Sequence, residues 1–174
     1  MKNLKIIDLK DCDKNYFDKA WDIYISSFPS YERRTLSEQK LILEDKKYEA
    51  RIFIKDNQVL AILFFWHFSK YTFVEHFAIN KSFRGQSYGS KILKNFMEEY
   101  KNIILEIEPI KDEISEKRYK FYEKFGFLKN EHIHFQVPFR KGDEKFELLL
   151  LSLKKLEKKE YQNLYKEMKN SLCI

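Results

Sequence analysis

The sequence is most constrained between residues 71 and 100, where a strand pattern leads into a glycine-bearing loop and then into a helix pattern. Residues alternate with period two from Tyr71 to Ile79, which places the carboxylate of Glu75 between aromatic neighbours on one side of the strand. Apolar residues then recur at helical spacing from Ile92 to Tyr100. This order predicts a buried strand, a tight loop and an amphipathic helix.

The loop between these two elements reads Arg84-Gly85-Gln86-Ser87-Tyr88-Gly89-Ser90. Glycine lets the backbone turn tightly and approach a ligand, and the free N–H groups that open the helix attract anions. The pattern therefore indicates a phosphate site, with an ordinary strand-to-helix turn as the alternative. It is neither a nucleotide P-loop nor a dinucleotide fingerprint, because no Gly-Lys-Ser/Thr follows and the three-glycine spacing is missing.

The loop resembles the pyrophosphate-binding motif of the GNAT superfamily of acyl-CoA-dependent N-acetyltransferases, Arg/Gln-x-x-Gly-x-Gly/Ala. Arg84 and Gly89 match its first and last positions, but Ser87 stands where the motif has its first glycine. If that position requires a positive φ, the serine strains the loop. Its hydroxyl could instead donate a hydrogen bond to a phosphate oxygen.

Two further segments resemble the same superfamily. Arg118 to Phe127, reading RYKFYEKFGF, is similar to its aromatic-Tyr-x-x-x-Gly-Phe string. Glu75 to Ile79, reading EHFAI, resembles the strand on which polyamine-type acetyltransferases carry a catalytic glutamate. The resemblance covers roughly residues 50 to 153, in the order of its elements as well as in its motifs.

The resemblance implies an α/β (α+β) fold with a mixed, mostly antiparallel twisted sheet flanked by helices. A right-handed crossover through the glycine-loop helix would make the strands beginning near Tyr71 and Asn102 parallel neighbours. A V-shaped splay between these central strands would admit a thioester arm. We expect residues 1–174 to form a single N-acetyltransferase domain, whose C-terminal helix at 155–174 packs on the domain or forms a homodimer contact.

The remaining periodicity predicts two early helices and several strands. The second helix would be capped by Thr35 or Ser37. Gly126 would end the helix that carries the second motif. The predicted strands span residues 4–9, 50–54, 59–68 and 102–108, followed by a closing hairpin of 128–137 and 146–153, and the first helix spans 16–28.

Acetyl transfer to an amine needs a base for the ammonium and a proton for the leaving thiolate. The resemblance makes Glu75 the base, and we expect its aromatic neighbours to raise its pKa by desolvation. The alternative is a carboxylate paired with Arg or Lys, in which case Glu106 becomes the substitute base. By the same resemblance Tyr122 is the general acid, with a core aromatic as the alternative.

The resemblance also assigns binding residues. Glu32 and Arg33 would contact the acceptor, unless they form only a surface ion pair. His132 and His134 share a strand face, but no third metal ligand is evident, so we expect no metal and a polar cleft rim. The residues expected to bind acetyl-CoA are Phe77, Ala78, Ile79, Arg84, Gly85, Gln86, Ser87, Tyr88, Gly89, Ser90, Ser115 and Arg118.

The predicted function is direct transfer of an acetyl group from acetyl-CoA to a primary amine of a small molecule or peptide. The alternative is a catalytically weak CoA-binding regulator. The net charge of +6 favours anionic ligands, but the aromatic residues follow core periodicity, so we expect no specific nucleic acid partner. The chain lacks a long apolar stretch, a signal-peptide pattern and disulfide-like cysteine spacing, which indicates a cytoplasmic protein without a membrane partner.

Overall fold

The computed structural model describes residues 4–140 and 142–173, which form two compact units. The first unit comprises residues up to His67 together with Val74–Glu99, and the second comprises Phe68–Phe73 and the residues from Tyr100 onward. Among the helices in these two described ranges, none is long and apolar enough to cross a membrane.

The first unit contains most of the antiparallel strands and three helices. Strand β2 pairs antiparallel with both β1 and β3. The N–H of Asn80, just after β4, donates to the carbonyl of Leu60 near the start of β3, so these two strands also run in opposite directions. The elements are β1 (Lys5–Asp8), α1 (Lys14–Ser27), α2 (Leu36–Ile42), β2 (Tyr48–Lys55), β3 (Gln58–His67), most of β4 (Thr72–Ile79) and α3 (Tyr88–Glu99).

Local sequence accounts for much of this unit. Asp56 and Asn57 join β2 to β3 with φ angles of 49° and 60°, the left-handed conformation of a tight hairpin turn, which confirms the predicted hairpin. Thr35 caps α2, as one of the two predicted alternatives. Strand β3 is buried from Val59 to Trp66, as its continuous apolar run requires of a strand covered on both faces.

The second unit contains the first two residues of β4 beside β5. The N–H of Thr72 donates to the carbonyl of Asn102, so the two strands start side by side in the same direction. Strand β8 pairs antiparallel with β5, β6 and β7. The elements are β5 (Ile103–Ile107), α4 (Glu113–Glu123), β6 (Leu128–Lys129), β7 (His134–Phe135), β8 (Glu147–Ser152) and α5 (Lys158–Leu172).

The mixed, mostly antiparallel α/β architecture is thereby confirmed. The V-shaped splay and the single domain over residues 1–174 stay predictions. Gly126 has a φ of 87° just beyond α4, as predicted for the glycine that ends this helix.

The predicted closing hairpin is wrong in its first strand. Residues 128–137 form only the two short strands β6 and β7, because the pairing with β8 continues to Asn130 and is then broken until His134. The buried Asn130 amide donates to the carbonyl of Leu150 and to Oγ of Ser152, and its Oδ1 accepts the N–H of Leu156. Lys141, between the two strands of the predicted hairpin, lies outside the described residues.

Candidate active site

The glycine loop has the backbone conformation that its motif suggested. Within the first unit, Gly85 has a φ of 76° and Ser87 a φ of 60°. Ser87 therefore occupies a left-handed position that costs an L-residue about 1–2 kcal/mol. Its hydroxyl makes no hydrogen bond within the described part of the chain. Arg84 anchors the loop by donating from Nε to the carbonyl of Ile79 at 3.0 Å.

Helix α3 opens directly after this strained residue. The N–H of Lys91 bonds to the carbonyl of Ser87, so the N–H groups of the three residues between them have no acceptor inside the helix. The ammonium groups of Lys55 and Lys91 lie 5.3 and 5.5 Å from the ring centroid of Tyr88 in the first turn. Free donors, the helix dipole and two cations together make this terminus suited to an anion.

The other residues expected at the cofactor have varied surroundings. Phe77 and Ile79 are half-buried on β4, and Ala78 is buried. Ser115 is also buried, and its hydroxyl accepts the N–H groups of residues 111 and 112 while interacting with the Asp112 carboxylate. This hydroxyl is thus part of the cap of α4. Arg118 forms an ion pair with Glu108.

Glu75 is held by a buried arginine that sequence reasoning missed. Arg34 Nη1 donates to Oε2 at 2.6 Å and Nη2 donates to Oε1 at 3.0 Å, and the two side chains are 0% and 3% exposed. The indole N–H of Trp66 donates to Oε1 at 3.1 Å. The guanidinium carbon lies 5.9 Å from the ring centroids of both Trp66 and Tyr48. Both carboxylate oxygens are therefore occupied.

The expected rise in the pKa of Glu75 is wrong. Burial alone raises it, but the charge of Arg34 and hydrogen bonds from His76 and Arg34 outweigh burial and hold the pKa well below its usual range. Burial desolvates this carboxylate, yet the compensating cation comes from 41 residues earlier in the chain. The geometry matches the alternative of a carboxylate paired with arginine.

The same contacts fix the loop that carries the two predicted acceptor residues. His76 Nε2 bonds to the carbonyl of Glu32 at 2.8 Å, and the N–H of Arg34 donates to the Tyr24 hydroxyl at 2.8 Å. Arg33 Nη1 donates to the carbonyl of Ile25 at 2.8 Å. Residues 32–34 are thereby tied to both β4 and α1, so their conformation is set by buried polar contacts.

In the second unit, Tyr122 lies on α4 with its ring buried against Phe121 and Phe127, at centroid distances of 5.1 and 5.7 Å. Burial raises the pKa of its phenol to about 12, against a smaller lowering by Arg118. The phenol is therefore protonated at neutral pH. Its hydroxyl has no hydrogen-bond partner among the described residues, which leaves its proton available for donation.

Glu106, the substitute base, projects from β5 in the same unit and pairs with His134. His134 Nε2 lies 2.5 Å from Oε1 of Glu106, and the Glu106 side chain is 11% exposed. His132 points to different partners, since its ring stacks on Tyr161 and its Nε2 bonds to the carbonyl of Leu156. Residues 4–140 and 142–173 contain no group of three His, Cys, Asp or Glu side chains arranged to hold a metal ion.

We predict that Glu75→Gln destabilises the protein by about 3–5 kcal/mol, because it leaves the Arg34 charge buried without its partner. Replacing both charges, with Arg34→Met and Glu75→Leu, should recover much of this loss. Urea unfolding measures both changes. Glu113→Gln is the control, because its exposed pair with Lys117 contributes little. A loss below about 1 kcal/mol for Glu75→Gln would contradict the ion-pair account.

The same pair predicts a pH dependence. Because the pKa of Glu75 is depressed in the folded state, its contribution is present above the ordinary carboxyl pKa of about 4.3 and is lost as pH falls towards the folded value. Wild-type unfolding free energy should therefore decline below about pH 5, and Glu75→Gln should flatten that decline. An equal slope in both proteins would show that another carboxylate dominates.

Comparison with known proteins finds similarity to proteins described as acetyltransferases. A family model described as an acetyltransferase (GNAT) domain matches residues 48–129. A Bacillus subtilis (strain 168) protein named "Putative acetyltransferase YjbC" is 30% identical over 115 residues, which cover 65% of this chain and 56% of that protein. The match thus spans just over half the length of this curated relative.

Solved structures agree with this match. A Bacteroides thetaiotaomicron structure described as "Putative acetyltransferase from GNAT family" has a TM-score of 0.83 and 25% identity, covering 95% of each chain. A GNAT family acetyltransferase from Elizabethkingia anophelis, with acetyl-CoA bound, has a TM-score of 0.58 and 17% identity, covering 88% of this chain and 99% of that one. The chain is therefore similar to proteins described as GNAT acetyltransferases, in sequence over residues 48–129 and in fold over 95% of its length.

Proposed function

We propose that this protein transfers the acetyl group of acetyl-CoA directly to a primary amine of a small molecule or a peptide. The observation that carries the proposal is the loop of residues 84–90, which opens α3 with a left-handed backbone inside the segment that matches the GNAT domain. Such a terminus supplies several backbone donors to a phosphate group without needing side-chain charge.

We propose acetyl-CoA as the donor substrate. The pyrophosphate would lie on the N–H groups of residues 88–90, with Lys55 and Lys91 adding positive charge beside Tyr88. The similar protein from Elizabethkingia anophelis is described with acetyl-CoA bound, which supports this choice. Ser87 would contribute its unengaged hydroxyl as a further donor to a phosphate oxygen.

For the chemical step we propose Glu106 as the base and Tyr122 as the acid. Glu106 takes a proton from the acceptor ammonium, and the resulting amine attacks the thioester carbonyl. The new C–N bond forms as the C–S bond breaks, and the departing thiolate takes the Tyr122 proton. The amide nitrogen then passes its excess proton to the Tyr122 phenolate, which restores the phenol. Glu75 is unsuited to the base role, because Arg34 and Trp66 already bind both of its oxygens. We assign it to holding residues 32–34, which include the proposed acceptor contacts Glu32 and Arg33.

A CoA-binding regulator without catalysis is the second candidate, and the strained serine in the loop is the observation that favours it. Turnover separates the two functions. Release of CoA from acetyl-CoA in the presence of polyamines, amino acids, aminoglycosides and peptide N-termini should reveal at least one acceptor. CoA binding without turnover across the whole panel would support the regulator.

With an active acceptor, we predict that Tyr122→Phe lowers kcat by about 10²-fold while leaving stability and acetyl-CoA affinity nearly unchanged, since the ring keeps its packing and loses its proton. Tyr119→Phe, three residues earlier in the same helix, is the matched control and should stay within about threefold of wild type. Steady-state kinetics measure both variants. If both variants lower kcat by less than about threefold, Tyr122 serves only in core packing.

Ser87→Gly should have two opposite effects. It relieves the left-handed strain and should raise the unfolding free energy by about 1 kcal/mol. It also deletes the proposed phosphate donor and should weaken acetyl-CoA binding by about 1 kcal/mol in calorimetry. Ser90→Gly is the control, because glycine inside α3 should destabilise the protein. Unchanged or tighter binding by Ser87→Gly would contradict the phosphate contact.

A further inference from the structure

A chain of polar contacts centred on the buried His134 connects Glu106 to the C-terminal helix α5. His134 Nε2 faces Glu106 Oε1 at 2.5 Å, and His134 Nδ1 lies 3.1 Å from the Tyr161 hydroxyl on α5. The Tyr161 hydroxyl also donates to the carbonyl of Ile133 at 3.2 Å. His134 and Tyr161 both lie outside residues 48–129, the segment that matches the GNAT domain.

Hydrophobicity alone would bury Ile133 and Phe135 and expose His134, but the structure has the opposite arrangement. His134 is 1% exposed, whereas its neighbours Ile133 and Phe135 are 76% and 39% exposed. A polar ring placed inside while its apolar neighbours face solvent must have its hydrogen bonds satisfied there. Glu106 and Tyr161 supply both of those partners.

The contacts also show that the His134 nitrogen facing Glu106 is protonated. A carboxylate only accepts hydrogen bonds, so Nε2 carries a hydrogen towards Oε1. If the Tyr161 proton points to Nδ1, the ring is neutral, and if it points to the carbonyl of Ile133, Nδ1 can also carry a proton. In either case Nε2–H holds Oε1, because the partner of one ring nitrogen sets the state of the other.

This arrangement gives the two carboxylate oxygens of Glu106 different surroundings. Oε1 is held by His134, whereas Oε2 has no hydrogen-bond partner among residues 4–140 and 142–173, and the side chain is partly exposed. Glu75 differs, since Arg34 engages both of its oxygens. One held oxygen and one free oxygen is the arrangement that orients a carboxylate for accepting a proton.

We propose that His134 is the positioning residue that orients Glu106 so that its Oε2 accepts the proton of the acceptor ammonium, and that Tyr161 fixes the His134 ring. This inference rests on the proposed function. The titratable groups facing the His134 ring are Glu106 from β5 and Tyr161 and Tyr165 from α5, while β8 presents Leu148 opposite it.

The test compares His134→Leu with His134→Gln in the full chain, using acetyl-CoA and an acceptor found in the amine panel. The glutamine amide can still donate to Glu106, whereas leucine cannot. His134→Leu should lower kcat by about tenfold or more and change the acidic limb of the kcat/KM profile, with KM for acetyl-CoA unchanged. His134→Gln should restore kcat to within about threefold of wild type.

Tyr161→Phe removes the contact to Nδ1 and should lower kcat by a smaller factor of roughly threefold to tenfold. Tyr165→Phe is its matched control, because the Tyr165 ring meets the His134 ring edge-on at 5.6 Å without taking part in the chain of contacts. That control should leave kcat unchanged. Thermal unfolding and CoA binding of every variant report on folding, and rates are compared per CoA-binding site.

The outcomes separate this inference from the function on which it rests. If Glu106→Gln lowers kcat strongly but His134→Leu leaves both kcat and the pH profile unchanged, the positioning role is overturned while Glu106 stays the base. If Glu106→Gln is silent although the protein turns over acetyl-CoA, both the base assignment and the positioning role are overturned. A loss of Tm alone in His134→Leu, with kcat per folded molecule unchanged, would make His134 purely structural.

Discussion

The buried ion pair between Arg34 and Glu75 constrains the first unit more than any other contact described above. Removing two charges from water is costly, and the attraction between them offsets that cost only when their remaining hydrogen-bonding groups are satisfied. Here the guanidinium binds both carboxylate oxygens, and Trp66 adds a third donor. The pair therefore favours one arrangement of residues 32–34 on β4 and penalises others. Its main contribution is to conformational specificity, more than to net stability.

This constraint separates two carboxylates that the sequence alone leaves interchangeable. Glu75 has a depressed pKa and two engaged oxygens, so it is a poor proton acceptor near neutral pH. Glu106 has one oxygen held by His134 and belongs to the same unit as Tyr122. The proposed base and acid thus both belong to the second unit, on β5 and α4.

Sequence reasoning succeeded where the cause is local. The turn at Asp56 and Asn57, the Thr35 cap and the left-handed Gly126 each depend on a few neighbouring residues. The conditional expectation for Ser87 also depended on local backbone geometry, and the serine does have a positive φ. Periodicity located all of the main helices and the central strands, because each buries one apolar face or run.

It failed where the cause is distant in the chain. Neither alternation nor composition shows that Arg34 reaches Glu75, 41 residues away, so the pKa shift was predicted with the wrong sign. The strand predicted over residues 128–137 is broken after Asn130, whose side-chain partners Leu150 and Ser152 lie 20 and 22 residues later. For the Arg34–Glu75 ion pair, the sequence offered only the alternative that Glu75 is a carboxylate paired with Arg or Lys. The proposed role of His134 could not be predicted from the sequence, because its partners come from β5 and α5.

The pH dependence of kcat/KM for Glu75→Gln tests the central claim most directly. Rates should be measured with an active amine and normalised to the concentration of CoA-binding sites, so that any loss of folded protein is removed from the comparison. If Glu75 is a structural partner of Arg34, the variant should keep the acidic limb of the wild-type profile. Disappearance of that limb, with CoA binding intact, would make Glu75 the base and would contradict the account.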